Sequence, residues 1–143
     1  MLGKLSHIAI VVHDLEAAIG RFRQMFGARL LERDFLPETR TDVAVVELGG
    51  VHFELLSSRE PDSKVGRILR EKGEGLHHLS FDVPGIVAQI GQLQSAGVRL
   101  LDEKPRRGVH GRQIAFIDPR ETSGVLIEMV EESSKQKSES IPE

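Results

Sequence analysis

"SHIAIVVHDL", residues 6–15, sets a histidine at the head of a β-branched apolar run, and "HHLSFDVPGI", residues 77–86, does so again. Aligning His7 with His78 brings Leu15 onto Ile86, Ile19 onto Ile90 and Gly20 onto Gly91. One residue shorter, "ARLL" (28–31) falls on "VRLL" (98–101), and further on "VHFELL" (51–56) falls on "VLIEMV" (125–130), so that Glu54 matches Glu128. The chain is an internal repeat, and a repeat governs every later reading of the fold.

Working outward from the first histidine, residues 5–12 read as a strand: apolar, β-branched and without helical spacing. Asp14 is an N-cap candidate, Leu15, Ala18, Ile19, Phe22 and Phe26 recur at helical spacing, and Gly27 sits where a terminating glycine belongs. Strands follow at 28–33, 41–48 and, after the turn Gly49-Gly50, at 51–57. Residues 62–72 form a short connecting helix that stops at Gly73. The second copy then gives a strand at 76–83, a helix with Pro84 in its first turn and Ile86, Ile90 and Leu93 on one face, and Gly97 at its end. Strands at 98–101, 113–117 and 124–130 complete it. The expected fold is α+β: two tandem βαβββ modules forming a curved mixed sheet around a metal-binding cavity. Residues 1–131 make a single domain with modules at 4–60 and 74–131 and a linker helix at 62–73. The tail, 132–143, holds no core-forming run and is expected to be disordered.

Composition narrows the function classes. Hydrophobic residues are 39% and charged residues 29% of 143, as in a water-soluble globular chain. Nineteen Lys and Arg against 22 Asp and Glu leave a net charge of −3, without the basic surplus that nucleic acid or an anionic membrane selects. No apolar run approaches the roughly 18 residues of a membrane span, and no secretory leader is visible. The absence of cysteine removes disulfides, thiolate ligands and thiol nucleophiles. A cytoplasmic protein is the simplest reading.

Strand alternation then locates the chemistry. Ile8, Ile10 and Val12 take one side of the first strand and His7, Ala9 and Val11 the other; Leu79, Phe81 and Val83 oppose His78, Ser80 and Asp82. On the closing strands, Phe53 and Leu55 oppose Glu54, and Ile127 and Met129 oppose Glu128. The bulky side suits packing under a helix, so the polar side faces a cavity. A lone strand histidine is ordinarily a hydrogen-bonded structural residue, and a lone strand glutamate ordinarily faces water. Matched His and Glu in both copies change that balance: His7, Glu54, His78 and Glu128 are the expected ligands of a divalent cation, with nitrogen and oxygen donors and no sulfur. Cobalt, manganese, nickel and zinc all accept such a set. His77 is directed to the opposite face and reads as structural, His13 as a solvated turn residue, His52 as a lesser cavity candidate and His110 as an exposed loop residue.

With those residues in hand, the chain resembles the vicinal-oxygen-chelate (glyoxalase/bleomycin-resistance) superfamily and, within it, the methylmalonyl-CoA epimerase family. The resemblance is carried by "GEGLHHLSFDV" (73–83), "GVRLLDEKPR" (97–106), "IAFIDP" (114–119), "SGVLIEMVE" (123–131) and the linker "PDSKVGRILREKGEG" (61–75). It implies the same four metal ligands. It also implies a second catalytic carboxylate in a "PEQGV"-like segment, which here reads "PETRTDV" (37–43), so Glu38 matches while the following Gln-Gly-Val does not. The loop "RRGVHGR" (106–112) departs from the family's more Gly- and Ala-rich version. The implied activity is proton removal and return at C2 of an acyl-CoA through a metal-stabilised enolate, with Glu38 and Glu128 as acid and base. A glyoxalase-type lyase would use the same ligands, and a metal-free binding protein would share the fold. Lys104, Arg106, Arg107 and Arg112 are the densest basic cluster, and open sheet edges lead us to expect a homodimer.

Overall fold

The computed structural model describes residues 1–132, which carry eight strands and three α-helices arranged as two βαβββ modules, an α+β fold. By its contacts the chain divides into two compact units, His7–His78 and Met1–Ser6 together with the chain from Leu79 onward.

The His7–His78 unit takes in β1 (Leu5–Val11) from His7 onward, α1 (Leu15–Phe26), β2 (Arg29–Leu36), β3 (Thr41–Leu48), β4 (Val51–Ser57) and α2 (Lys64–Lys72). Hydrogen bonding orders its strands β2-β3-β4-β1. β3 runs antiparallel to β2 and β4, whereas β4 returns parallel to β1, with Ile8 opposite Phe53 and Ala9 opposite Glu54. The Asp14 carboxylate accepts the Ala17 amide at 3.0 Å and so caps α1, and Gly27 ends that helix at a φ of 67° that favours glycine. Gly49 and Gly50 both adopt positive φ, the requirement of a tight hairpin turn whose twist matches the strands. Beneath α1, Val12, Ile19, Ala28, Ala44, Val46 and Leu55 form the core, with Ile10, Phe22 and Phe53 packed against it. That is the apolar side expected from alternation, and it leaves His7 and Glu54 on the other.

The second unit takes in the larger part of β5 (Gly75–Val83), from Leu79 onward, with α3 (Ile86–Ser95), β6 (Arg106–Arg107), β7 (Gln113–Ile117) and β8 (Ile127–Glu131), ordered β5-β8-β7-β6. β8 is parallel to β5 with Ser80 opposite Glu128, and antiparallel to β7. The register of the first half therefore recurs: in each copy, the residue two beyond the histidine faces the glutamate. Val83, Ile86, Ile90, Ala115, Ile117 and Met129 make the core under α3. The chain's first residues line β5, where the Gly3 amide donates to the Asp82 carbonyl at 2.6 Å and the Asp82 amide to the Lys4 carbonyl at 3.0 Å.

Several expectations are corrected. Residues 98–101 do not form a strand; they make one bridge, Leu100 to Ile117. The Asp102 carboxylate takes the Phe116 amide at 2.9 Å, a side-chain acceptor standing where a ladder carbonyl would, and Pro105 has no amide to give. The strand that does pair with β7 here is the two-residue β6, at Arg106–Arg107, further along the chain. Pro84 lies before the N-cap Gly85 rather than in the first turn of α3, and α2 starts at Lys64 because the Ser63 hydroxyl caps it by accepting the Gly66 amide at 3.0 Å. β2 extends to Leu36, beyond residue 33. β8 starts only at Ile127, since positive φ at Ser123 and Gly124 turns the chain before it can extend. Of the expected tail, residues 133–143 lie outside the described residues. No helix among the described residues is long and apolar enough to cross a membrane.

Candidate metal centre and catalytic carboxylates

On β1 and β4, His7 and Glu54 are 4% exposed, and His7 Nδ1 lies 3.3 Å from Glu54 Oε2. His78, on the part of β5 that belongs to the same unit, is 5% exposed with its ring centroid 5.5 Å from that of His7 in edge-on geometry. The Nε2 atoms of both rings are fully buried. Burial drives the His78 imidazole down to about 2, reinforced by His77, His7 and Lys64, so the ring is neutral and offers a lone pair.

His77 was expected to point away as a structural residue. Its backbone does face the other side, yet its Nδ1 sits 2.7 Å from His78 Nδ1, with the ring centroids 4.9 Å apart. Two neutral imidazoles can share this contact only if one Nδ1 carries its proton and the other accepts it. When His78 donates, its Nε2 carries the lone pair that a ligand needs, which is how outer partners orient metal-binding histidines. Burial, with Lys64 and Lys72, pushes His77 down to about 4 and keeps it neutral for that role.

In the second unit Glu128 is 5% exposed and accepts the Ser80 hydroxyl at 2.8 Å. Burial pushes its carboxyl up to about 7, against the pull of the Ser80 hydrogen bond and of the Arg112 and Arg106 charges. A carboxyl held near neutrality can both accept and release a proton at working pH. Asp82, on the same face of β5, is also buried; desolvation raises its carboxyl above the ordinary range although Arg112 Nη1 approaches Oδ1 at 3.9 Å. Sequence reasoning placed Asp82 on this face without assigning it a role, and it did not single out Arg112 from its neighbours.

The remaining candidates are more exposed. Glu38 occupies the exposed turn 37–40 between β2 and β3. His52, at the start of β4, faces Glu47 at 3.9 Å with 46% of its side chain exposed, whereas Glu54, two residues on, is buried. His13 and His110 are exposed, the latter in a loop at φ 59°.

The donor chemistry fits a cation. His7 and His78 present imidazole nitrogens within 4.8 Å of each other, and Glu54 adds a carboxylate beside His7. Two His and Glu128 supply the donor types that divalent first-row metals take, and no thiolate is present to select a softer ion.

A sheet whose closing strand returns parallel to its opening one, twice in register, with His on the first strand and Glu on the last, defines a class. The chain belongs to the glyoxalase/bleomycin resistance protein/dioxygenase superfamily, whose family model matches residues 6–116. Within it, the chain is 36% identical over 138 residues to the uncharacterized protein YqjC of Bacillus subtilis, covering 96% of this chain and 99% of that one. It is 36% identical over 129 residues to the mitochondrial methylmalonyl-CoA epimerase of Homo sapiens, covering 90% of this chain and 73% of the relative. Among solved structures, a methylmalonyl-CoA epimerase variant of Streptomyces coelicolor in complex with 2-nitronate-propionyl-CoA superposes with a TM-score of 0.86 at 31% identity, covering 94% of this chain and 97% of the other.

Proposed function

We propose that this protein is a metal-dependent epimerase that interconverts the (R) and (S) forms of methylmalonyl-CoA by removing and returning the C2 proton. The observation that carries the reading is the buried His7–Glu54–His78 group, with Glu128 at the equivalent register of the other copy, in a chain so similar to named epimerases.

His7, Glu54, His78 and Glu128 are the proposed ligands. When bound, a divalent cation supplies Lewis-acid stabilisation of the negative charge that develops on the thioester oxygen. The chain's own part is proton handling. The C–H bond α to a thioester is far less acidic than a carboxylic acid, so a carboxylate base needs that oxygen charge stabilised before it can take the proton. One carboxylate removes the proton from one face of C2, and the second, as the acid, returns a proton to the opposite face; the roles exchange for the opposite enantiomer. Glu128, with its carboxyl raised by burial, is one partner. Glu38, exposed on its turn, is the other, accessible to a substrate that covers it. A cytoplasmic homodimer completes the proposal.

Incubating metal-loaded protein with methylmalonyl-CoA in deuterated water tests it. C2 exchange and interconversion of the enantiomers are expected, both lost on chelation and restored by cobalt or manganese. Folded, metal-loaded protein that leaves C2 unexchanged ends the assignment. Glu38→Gln is expected to lower turnover at least about a hundredfold; unchanged turnover removes its proposed role.

A further inference from the structure

The exposed turn 37–40 carries Glu38, and two residues on it carries a strained arginine. Arg40 has a φ of 56°, a left-handed conformation that costs energy at any residue with a Cβ. It falls where a "PEQGV"-like segment has its glycine. Such a conformation persists only where the surroundings over-determine it, and the contacts of Arg40 show what does so.

Those contacts reach residues 58–63, which join β4 to α2 within the same unit. The Ser58 hydroxyl donates to the Arg40 carbonyl at 2.7 Å and accepts the Glu60 amide at 3.2 Å. Ser63, the buried cap of α2, has its Oγ 2.8 Å from Ser58 Oγ, so the hold on the Arg40 backbone runs back to a fixed point. The side chain crosses as well, with Nη1 3.4 Å from Asp62 Oδ1 and 3.7 Å from Glu60 Oε2.

Packing does not supply this restraint. A cavity of about 470 Å³ is lined by Phe35 and Asp42, the paired residues at the strand ends flanking the turn, and by Arg40, Arg59 and Glu60. Within the turn, Pro37, Glu38 and Arg40 are exposed and Thr39 is half-buried. A turn bordered by open space and lacking buried apolar contacts is free to move unless polar links restrain it.

We propose that Arg40 is a positioning residue, mooring the turn to residues 58–63 so that Glu38 is presented to the substrate in one place. This rests on the reading of Glu38 as the second carboxylate and adds what holds it. β3 begins at this turn and pairs Val45 with Glu54, so a moored turn keeps Glu38 in a set relation to the buried His7–Glu54 pair. Proton transfer needs hydrogen-bond reach, and a misplacement of about 1 Å can cost roughly a hundredfold in rate. Exposed ion pairs are weak one by one, so losing them thins the population of the productive turn without emptying it.

Cobalt-loaded protein and methylmalonyl-CoA are the probes, read by kcat and KM for C2 exchange and by amide hydrogen exchange at residues 38–41. Arg40→Gln keeps the backbone demand and removes the charge. It is expected to lower kcat about three- to tenfold, to leave KM within about twofold, and to speed amide exchange in the turn. Glu60→Gln with Asp62→Asn, which removes the same pairs from the other side, should do likewise. Arg40→Lys keeps the charge and should stay within about twofold of wild type, as should Arg59→Gln, which takes a cation from the same cavity wall outside the turn. In a Glu38→Gln background, Arg40→Gln should add no further loss of turnover.

Unchanged kcat and amide exchange in Arg40→Gln overturn the proposal, as does an equal loss in Arg59→Gln or a further loss on top of Glu38→Gln. A large loss in Glu38→Gln beside a silent Arg40→Gln ends this inference and leaves the epimerase reading intact. Turnover indifferent to Glu38→Gln, with exchange in the turn still quickened by Arg40→Gln, instead removes Glu38 from the reading and leaves the mooring in place.

Discussion

His7 Nδ1 stands 3.3 Å from Glu54 Oε2, with both side chains about 5% exposed, although the two residues lie on opposite ends of their module's sequence. An imidazole and a carboxylate are withdrawn from water together here, which costs free energy unless a partner repays it. A cation is the proposed partner. His7→Ala is expected to abolish stoichiometric metal uptake, and Glu54→Ala to weaken it by more than tenfold, on the order of 1.4 kcal/mol. Glu54→Gln keeps an oxygen donor and should retain binding at reduced affinity. Elemental analysis and metal titration read all three; an alanine variant with unchanged metal content would remove Glu54 from the ligand set.

The shared Nδ1 contact of His77 and His78, at 2.7 Å, makes His77 an orienting residue. Phenylalanine preserves the ring and removes the nitrogen. His77→Phe is expected to fold normally and bind metal roughly 10- to 100-fold more weakly, the usual effect of losing an outer partner. Equal affinity in the two proteins would return His77 to a purely structural role.

Arg120 grips the Asp118 carboxylate with Nη2 at 2.6 Å and Nε at 3.1 Å, while the Arg120 amide donates to the same group. These bonds hold the carboxyl down from 3.8 to about 2. A carboxyl lowered by folding stabilises the fold above its unfolded value, and loses that contribution as pH falls through its folded value. Wild-type protein should therefore lose stability between about pH 4 and 2, and Asp118→Asn should flatten that part of the curve while lowering stability at pH 7. Thermal melts across this window check it; identical curves for the two proteins would refute it.

Gly66, in the first turn of α2, leaves no room for a methyl group, because a Cβ there would run into the Glu60 carbonyl oxygen and sit 2.8 Å from that of Pro61. Backbone cannot rotate away as a side chain can. Gly66→Ala is expected to destabilise the protein despite alanine's better helix propensity, with a melting temperature lower by several degrees. Leu55→Ala, at a side chain with 0% exposure, should cost about 2–5 kcal/mol in urea unfolding. A Gly66→Ala protein more stable than wild type would contradict the packing described.

Much of this was legible in the sequence because alternation and repetition constrain each other. A one-residue slip in β1 or β8 would have turned His7 or Glu128 into the helix-covered core, so the apolar partners Ile10 and Met129 fixed the direction of the polar ones. The equal pairing of Ala9 with Glu54 and of Ser80 with Glu128 follows from the same alignment. Three things were not legible. Alternation describes where a Cβ points, and an imidazole is long enough to reach round, as His77 does. The stretch 98–101 repeats "ARLL" almost letter for letter, yet the Asp102 carboxylate three residues on from Arg99 captures the amide that a strand would have needed. Arg112 differs from Arg106 and Arg107 only through the left-handed turn before it, a conformation that His110 would not advertise. The Ser63 cap, by contrast, is readable from residue type, since a serine one residue before Lys64 is a favoured N-cap.

The parallel return of β4 to β1 bears on how the protein is made. Neighbouring parallel strands cannot be joined by a tight hairpin, so the first strand waits, unpaired on that edge, until the fourth has been synthesised and swung back. A ribosome-bound chain ending before Val51 thus carries His7 without its carboxylate partner, and ion capture belongs to the finished molecule rather than to any early fragment of it.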